Sequence, residues 1–216
     1  MQLKVKICGI STLDAAKAAI NDSADFLGFI HFAKSPRHLP LNAMADLIKV
    51  IRSGSGKTSL VSVVVNPDNE LLLTLKNDVQ PDMIQLHGSE TVERVAQIAA
   101  LTNIPLIKAI SVREAADLDI AKAYEPHVAH LLFDAKVPEG APMPGGLGLR
   151  FDWTIMRKFS AEKPWFLAGG LTLDSLPRAI TESATKMLDV SSGVENAPGI
   201  KDAALISSFL RAAKAL

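Results

Sequence analysis

The sequence is poor in several features that mark particular classes of protein. Its 216 residues contain one cysteine, Cys8, so no disulfide can form within the chain, which is typical of a reducing compartment. Lys plus Arg and Asp plus Glu both number 23, which argues against a surface for nucleic acid or anionic membrane. No apolar run approaches the roughly 18 residues of a membrane span, and the opening MQLKVKICGI lacks the apolar core of a signal peptide. We therefore expect a cytoplasmic protein with neither nucleic-acid nor membrane partners.

Two further absences concern cofactors. No GxGxxG motif follows any predicted strand, so dinucleotide binding is not favoured. The five histidines offer no convincing set of metal ligands. His127 and His130 are three positions apart, but they span a predicted helix end and strand start, so we interpret them as structural. The sequence predicts no metal site.

What the sequence does contain is a regular alternation of apolar strands and helices. The strands are almost continuously apolar, as expected when both faces of a parallel sheet are buried. Eight strand–helix units with no linker between them favour a closed (β/α)8 TIM barrel, a single domain over residues 1–216. The predicted strands are residues 3–8, 26–32, 59–65, 83–87, 105–110, 130–134, 165–168 and 186–190.

Three segments between and after these strands carry specific expectations. A helix is predicted from residue 113 to about 124, and another from 200 to 216. The longest irregular stretch, rich in proline and glycine, covers residues 137–148.

Two loops after the last predicted strands are rich in glycine and serine. Gly169 and Gly170 follow strand seven, and Ser191, Ser192 and Gly193 follow strand eight. Either loop alone is best explained as a simple turn. Together they match the phosphate site that many (β/α)8 barrels build from backbone N–H groups after strands seven and eight. We therefore predict phosphate binding by these five residues.

In a barrel of this kind, polar side chains at the carboxyl ends of the strands face the active site. The candidates collected from the strand ends are Cys8, His31, Arg37, Asn66, Gln85, His87, Lys108, Asp134, Asp189, Ser191 and Ser192.

Two of these candidates could transfer protons. Cys8 is either a buried small hydrophobe or a thiolate nucleophile or base, the latter if Lys6 or Lys108 lowers its pKa. Asp134 ends the apolar run His-Leu-Leu-Phe-Asp, where a carboxyl tends to hold its proton and can act as a general acid. The alternative for Asp134 is a helix cap or a salt bridge.

Three others could bind substrate. Arg37 follows a rigid Ser-Pro turn and could present its guanidinium to a carboxylate, although a solvated surface arginine is the competing interpretation. Asp189 is suited to accept hydrogen bonds from a substrate hydroxyl or from loop N–H groups. His87 either contacts a ligand or caps strand four, and the sequence does not separate these.

Several stretches together resemble one family, phosphoribosylanthranilate isomerase of tryptophan biosynthesis. They occur in the order of that family and cover all eight strand ends. KICG combined with DVSSGVE is specific, whereas LAGG alone is shared by many phosphate-binding barrels. The stretches are KICG (6–9), SPR (35–37), QLHG.E (85–90), IKAI (107–110), LLFD (131–134), PGG.G..FDW (144–153), LAGGL (167–171) and DVSSGVE..PG.KD (189–202).

The resemblance implies an Amadori rearrangement of N-(5-phosphoribosyl)anthranilate to 1-(2-carboxyphenylamino)-1-deoxyribulose 5-phosphate. By this analogy Asp134 protonates the ring oxygen, Cys8 takes the proton from sugar C2, and Arg37 holds the anthranilate carboxylate. His87 and Asp189 would also bind substrate, and the two glycine and serine loops would hold the phosphate. The chemistry moves protons only, so no cofactor is implied, and we expect a monomer or a homodimer.

The sequence departs from the family after strand six, where Leu147 and Leu149 replace a hydroxyl and a polar residue, with Arg150 nearby as a substitute. The rival hypotheses are another sugar-phosphate barrel enzyme, such as indole-glycerol-phosphate synthase or the histidine-pathway Amadori isomerase, and a non-catalytic phosphate-binding barrel. The synthase would need a catalytic lysine and glutamate set. The histidine-pathway enzyme would have an aspartate where Cys8 stands, and a binding barrel would need neither Cys8 nor Asp134.

Overall fold

The predicted closed barrel is confirmed. A computed structural model describes residues 3–54, 56–135 and 149–216 of the chain. Within these residues eight parallel strands pair in sequence order, and the first strand pairs with the eighth to close the ring. Helices or helical turns connect the strands. The eight strands are β1 (Lys4–Cys8), β2 (Phe26–His31), β3 (Ser59–Val64), β4 (Met83–Leu86), β5 (Leu106–Val112), β6 (His130–Ala135), β7 (Trp165–Leu167) and β8 (Met187–Val190).

The α-helices are of unequal length, and several of them begin at a side-chain cap. Thr12, Asp68, Thr91 and Asp202 each accept a hydrogen bond from a backbone N–H of the first turn that would otherwise lack a partner. The helices are α1 (Leu13–Asn21), α2 (Leu41–Ser53), α3 (Asn69–Thr74), α4 (Val92–Thr102), α5 (Ala121–Tyr124), α6 (Leu176–Ser183) and α7 (Ala203–Ala215). A π-helical turn, Leu75–Val79, continues α3.

Two predicted helices differ from the observed ones. The helix predicted over residues 113–124 is instead a 3₁₀ turn, Ala115–Leu118, followed by the single turn of α5. The helix predicted from residue 200 begins at Ala203, because Asp202 caps it. Before that cap, β10 (Ile200–Lys201) pairs antiparallel with β9 (Glu195–Ala197) in a small hairpin. The irregular stretch predicted at residues 137–148 lies outside the described residues.

The core has two layers, because alternate residues of each strand point to opposite faces. One apolar cluster lies between the strands and the helices, and it contains Leu106 and Ile110 of β5. A second cluster fills the barrel interior, and it contains Cys8 of β1 and Ala109 of β5. Side chains at the carboxyl ends of the interior-facing rows are therefore presented together at one mouth of the barrel. None of the helices that the structure describes is long and apolar enough to cross a membrane.

Candidate active site at the carboxyl mouth of the barrel

The structure brings most of the predicted site residues together at the carboxyl mouth. Cys8 ends β1, and Asp134 and Asp189 lie on the interior-facing rows of β6 and β8. His87 follows β4 directly. Arg37 reaches the same mouth from the loop after β2, where its guanidinium pairs with Glu195 of the loop after β8.

Cys8 lies in a buried pocket beside a lysine. Its side chain shares the interior row of β1 with Lys6, and the paired residue on β2 is Gly28. A Cβ atom at Gly28 would lie 2.8 Å from the Cys8 sulfur and 3.0 Å from the Lys6 Nζ, so the missing side chain leaves room for both groups. Burial raises the pKa of the Cys8 thiol, and this outweighs the lowering by the Lys6 cation. The sequence-based expectation of a thiolate at Cys8 depends on a lowered pKa, and this condition is not met.

Lys6 and Asp189 form a buried ion pair beneath the thiol. Lys6 Nζ donates to Asp189 Oδ1 over 2.9 Å, and the lysine side chain is fully buried. Burial alone would lower the pKa of Lys6, but Asp189 and Cys8 together raise it above its ordinary value. The pair places an ammonium ion next to Cys8, where it favours the thiolate over the thiol.

Asp134 and His87 face one another across the mouth. The carboxylate of Asp134 accepts a hydrogen bond from the Ala135 N–H at Oδ1, over 2.9 Å. Its other oxygen, Oδ2, lies 3.4 Å from His87 Nε2. On the opposite side of the ring, His87 Nδ1 is 2.9 Å from the amide nitrogen of Gln85. The acid candidate therefore has a ring nitrogen beside it, and a protonated His87 would make the contact the salt bridge considered as an alternative.

Arg37 is held in a buried cluster rather than lying on the surface. Its Nε and Nη2 donate to the two carboxylate oxygens of Glu195 over 2.7 Å and 2.8 Å. Lys201 Nζ donates to Glu195 Oε1 over 2.6 Å and to the Ser191 carbonyl over 3.0 Å. Burial would raise the pKa of Glu195, but Arg37 and Lys201 hold it below the ordinary value. Arg37 and Lys201 therefore share one carboxylate at this side of the mouth.

The two predicted phosphate loops touch one another. Gly169 has a φ of +86°, and a Cβ there would lie 3.0 Å from Asp134 Oδ1, so this glycine lets the loop pass close to the acid. A Cβ at Gly193 would collide with the Leu171 carbonyl oxygen. Gly170 accepts a hydrogen bond from Arg150 Nε over 2.8 Å. These contacts place the two loops side by side at the mouth, where their glycines and serines are partly exposed.

The lower part of the second loop is tied to the base candidate. Ser191 Oγ donates to the Cys8 carbonyl over 3.0 Å, and Ser192 begins a one-turn 3₁₀ helix that ends at Val194.

Two residues after strand six depart from the family pattern. One of them, Leu149, is 38% exposed. Leu147 lies outside the described residues.

Lys108 does not belong to the site. It shares the outward-facing row of β5 with Leu106 and Ile110, and its Nζ donates to Glu90 Oε2 over 2.8 Å. Glu90 also accepts from the Asn66 N–H, so the pair ties the loops after β3 and β4 together. Lys108 therefore points away from the barrel interior that contains Cys8, so it does not lower the pKa of Cys8 in the way considered from the sequence.

Sequence reasoning missed the partners of the candidate residues. Glu195 and Lys201 stand in the DVSSGVE..PG.KD stretch, yet neither was selected as functional. The sequence feature that could have identified them is the presence of an acidic and a basic residue in the loop after strand eight. Gln85 was collected with the strand ends but received no role, because its partner His87 was itself unassigned.

Comparisons with known proteins agree on one family. The family described as "PRAI: N-(5'phosphoribosyl)anthranilate (PRA) isomerase" matches residues 5–212. An N-(5'-phosphoribosyl)anthranilate isomerase from a Caulobacter species is 48% identical over 212 residues, covering 98% of this chain and 99% of the relative. The crystal structure of phosphoribosyl anthranilate isomerase from Thermotoga maritima has a TM-score of 0.85 at 32% identity, with both chains covered fully.

A further solved structure adds a ligand. It is a phosphoribosyl anthranilate isomerase in complex with reduced 1-(o-carboxyphenylamino)-1-deoxyribulose 5-phosphate, with a TM-score of 0.82, 30% identity and full coverage of both chains. Family, relatives and fold therefore coincide over the whole length of the chain. This chain belongs to the N-(5'-phosphoribosyl)anthranilate isomerase family.

Proposed function

We propose that Asp134 and Cys8 are the acid and the base with which this isomerase converts N-(5'-phosphoribosyl)anthranilate to 1-(2-carboxyphenylamino)-1-deoxyribulose 5-phosphate. The observation that carries the proposal is their placement at one mouth, each beside a nitrogen group suited to its ionised form. Lys6 lies beside the Cys8 thiol, and His87 Nε2 lies 3.4 Å from Asp134. A contact of this length can shorten to a hydrogen bond when substrate binds.

The first step opens the sugar ring. Asp134 gives its proton to the furanose ring oxygen, and the bond between that oxygen and C1 breaks. The lone pair of the anthranilate nitrogen forms the C=N bond of a protonated Schiff base. The carboxylate left on Asp134 then faces His87 and the Ala135 N–H.

The second step moves a proton from C2. The Cys8 thiolate takes the C2 proton, and the electrons of that C–H bond form a C1–C2 double bond while the Schiff base becomes an enolamine. Loss of the C2 hydroxyl proton and protonation of C1 give the ketone, so atoms and electrons balance. Because burial raises the pKa of Cys8, its thiolate is a stronger base. For the same reason a smaller fraction of the enzyme molecules carries the thiolate at neutral pH.

Substrate binding follows from the charges around the mouth. Arg37, which Glu195 holds at the mouth, binds the anthranilate carboxylate. Asp189 and His87 accept or donate hydrogen bonds to the sugar hydroxyls above the interior row. The phosphate binds the backbone N–H groups of the two loops that carry Gly169, Gly170, Ser191, Ser192 and Gly193.

The test is a direct assay. Phosphoribosylanthranilate is generated in situ from anthranilate and phosphoribosyl pyrophosphate, and the loss of its fluorescence is followed after adding the protein. Wild type should accelerate the decay, and Asp134→Asn should lower kcat by about 10²–10⁴-fold, the usual contribution of a general acid. Cys8→Ser should lose activity similarly, while Asp202→Asn, an exchange at a helix cap, should retain it.

The assignment fails if either site variant turns over at the wild-type rate. A folded wild-type protein that binds sugar phosphate but leaves the decay unchanged would favour the non-catalytic barrel. The cytoplasmic location, and a monomer or a homodimer as the form in solution, stay predictions.

A further inference from the structure

Gln85 is a fully buried amide that the proposed reaction does not use. It lies on the interior-facing row of β4, two positions before His87. Its Nε2 is 2.9 Å from His87 Nδ1, while its Oε1 has no hydrogen-bond partner among the described residues. A buried amide with one unpaired atom destabilises the fold by the desolvation of that atom. The contact with His87 is therefore the one polar interaction of its side chain that the described residues show.

This contact determines which nitrogen of the His87 ring carries the proton. An amide N–H can only donate, so Nδ1 must accept, and a neutral ring then carries its proton on Nε2. Nε2 is the atom that faces Asp134 Oδ2 at 3.4 Å, and it has no hydrogen-bond partner among the described residues. Through its contact with Gln85, the His87 ring therefore presents an N–H, and not a lone pair, to Asp134.

The tautomer matters because of what Asp134 must do with its proton. A lone pair on Nε2 would accept that proton in a hydrogen bond and compete with the substrate ring oxygen for it. An N–H on Nε2 cannot accept, and it becomes a donor to the carboxylate once the proton has left. The Ala135 N–H already serves Oδ1, and two donors still leave acceptor positions for the acid proton on a carboxyl group.

We propose that Gln85 is a positioning residue that fixes His87 as the Nε2–H tautomer and so keeps the Asp134 proton available for the sugar ring oxygen. The role of Asp134 rests on the proposed function, whereas the tautomer of His87 does not. The two parts can therefore be tested with separate measurements.

The first measurement is the ¹⁵N NMR spectrum of the histidine rings, since its shifts distinguish the two neutral tautomers and the imidazolium ion. A His87→Gln variant assigns the signals. Wild type at neutral pH should show the Nε2–H form. Gln85→Glu places an acceptor against Nδ1 and should give either the Nδ1–H form or the imidazolium ion, and Gln85→Met, similar in length but without a donor, should give a mixture. His130 lies at the other end of the barrel interior, so its unchanged signals show that the variants are folded.

The second measurement is the steady-state rate. Gln85→Glu should lower kcat at least tenfold, about 1.4 kcal/mol of transition-state free energy, with a smaller change in KM. The kcat of Gln85→Met should lie between those of Gln85→Glu and wild type, because this exchange removes the preference for one tautomer without favouring the other. A residue that served packing alone would change stability without moving the ¹⁵N shifts of His87.

Three results would overturn the inference. These are an Nδ1–H or imidazolium form in wild type, the same form in wild type and Gln85→Glu, or a changed form with an unchanged kcat. If the wild-type protein does not isomerise phosphoribosylanthranilate but Gln85 still controls the tautomer, the proposed function fails and the assignment of the tautomer stands.

Discussion

Arg37 and Glu195 are 158 positions apart in the sequence, yet two nitrogens of the guanidinium contact both oxygens of the carboxylate. Both side chains are 4% exposed. The pair joins the loop after β2 to the loop after β8 and orients the residue proposed to bind the anthranilate carboxylate. Lys201 shares the same carboxylate, so Glu195 lies between two buried cations.

Exchange of Glu195 should therefore destabilise the protein strongly. Glu195→Gln removes the carboxylate that Arg37 and Lys201 share while both cations stay buried, and we expect a loss of about 3–5 kcal/mol in the free energy of unfolding. Denaturant titration at pH 7 measures it. The matched control is Glu182→Gln, which removes the partly buried partner of the exposed Arg178 and should cost less than about 1 kcal/mol. Equal effects of the two exchanges would show that the cluster adds no stability.

His130 should make stability fall in mild acid. Burial, assisted by Lys4, lowers its pKa from 6.5 to about 4, and its ring packs between Phe26 and Phe166. Between these pH values the unfolded chain binds the proton and the folded chain does not, so stability decreases as the pH falls. The loss reaches at most about 3 kcal/mol over that range. His130→Phe should lack this contribution, and unfolding curves at pH 7.5 and pH 4 that shift equally in both proteins would contradict it.

Cys8 should give the pH–rate profile a rising limb at high pH. Only the thiolate is a base, and its pKa is raised, so kcat/KM should still be increasing at about pH 8.5, the ordinary pKa of a thiol. Lys6→Met should move the limb to higher pH, because it removes a cation that favours the thiolate and leaves Asp189 alone. If that variant does not fold, Lys6→Met with Asp189→Asn removes both charges and should still move the limb upward, by less. A limb that is unchanged in the lysine variants would exclude Lys6 as the counter-ion.

The cap of the last helix predicts a smaller effect on stability. Asp202 accepts hydrogen bonds from the N–H groups of Ala204 and Leu205 over 2.8 Å and 3.0 Å. Asp202→Ala should cost about 0.5–2 kcal/mol, whereas Asp202→Asn should be nearly neutral because it keeps an acceptor. Thermal unfolding compares them. A destabilised asparagine variant would show that the charge, rather than the hydrogen bonds, stabilises this helix end.

The barrel could be predicted because the strands are apolar runs that alternate regularly with helices. Such runs do not predict whether a given side chain points into the barrel or toward the helices. A strand buried on both faces has no two-residue alternation of polarity, so nothing in the run around Lys108 shows which face it occupies. The helix start at Ala203 was missed because apolar Ile200 continues the helical pattern, while the hairpin that contains it depends on pairing with β9.

Within the site, residue types were predictable and partners were not. Cys8, Asp134 and Arg37 are recognisable from short motifs because their chemistry depends on the side chain itself. The pKa of Cys8 depends on the balance between burial and a lysine two positions away, and this balance requires the packed structure. The ion pairs with Asp189 and Glu195 join residues that meet only when the ring is closed.

The pairing of β1 with β8 has a consequence for synthesis on the ribosome. Lys6 and its counter-charge Asp189 are separated by 183 positions, which corresponds to about 10–40 s of translation at 5–20 residues per second. During that interval Asp189 is not yet available to pair with Lys6. Burying Lys6 without this counter-charge is unfavourable, so β1 cannot be stably buried in the barrel. We therefore expect the nascent chain to assemble its proposed proton-transfer site only after β8 has emerged, so that shorter products of translation are inactive.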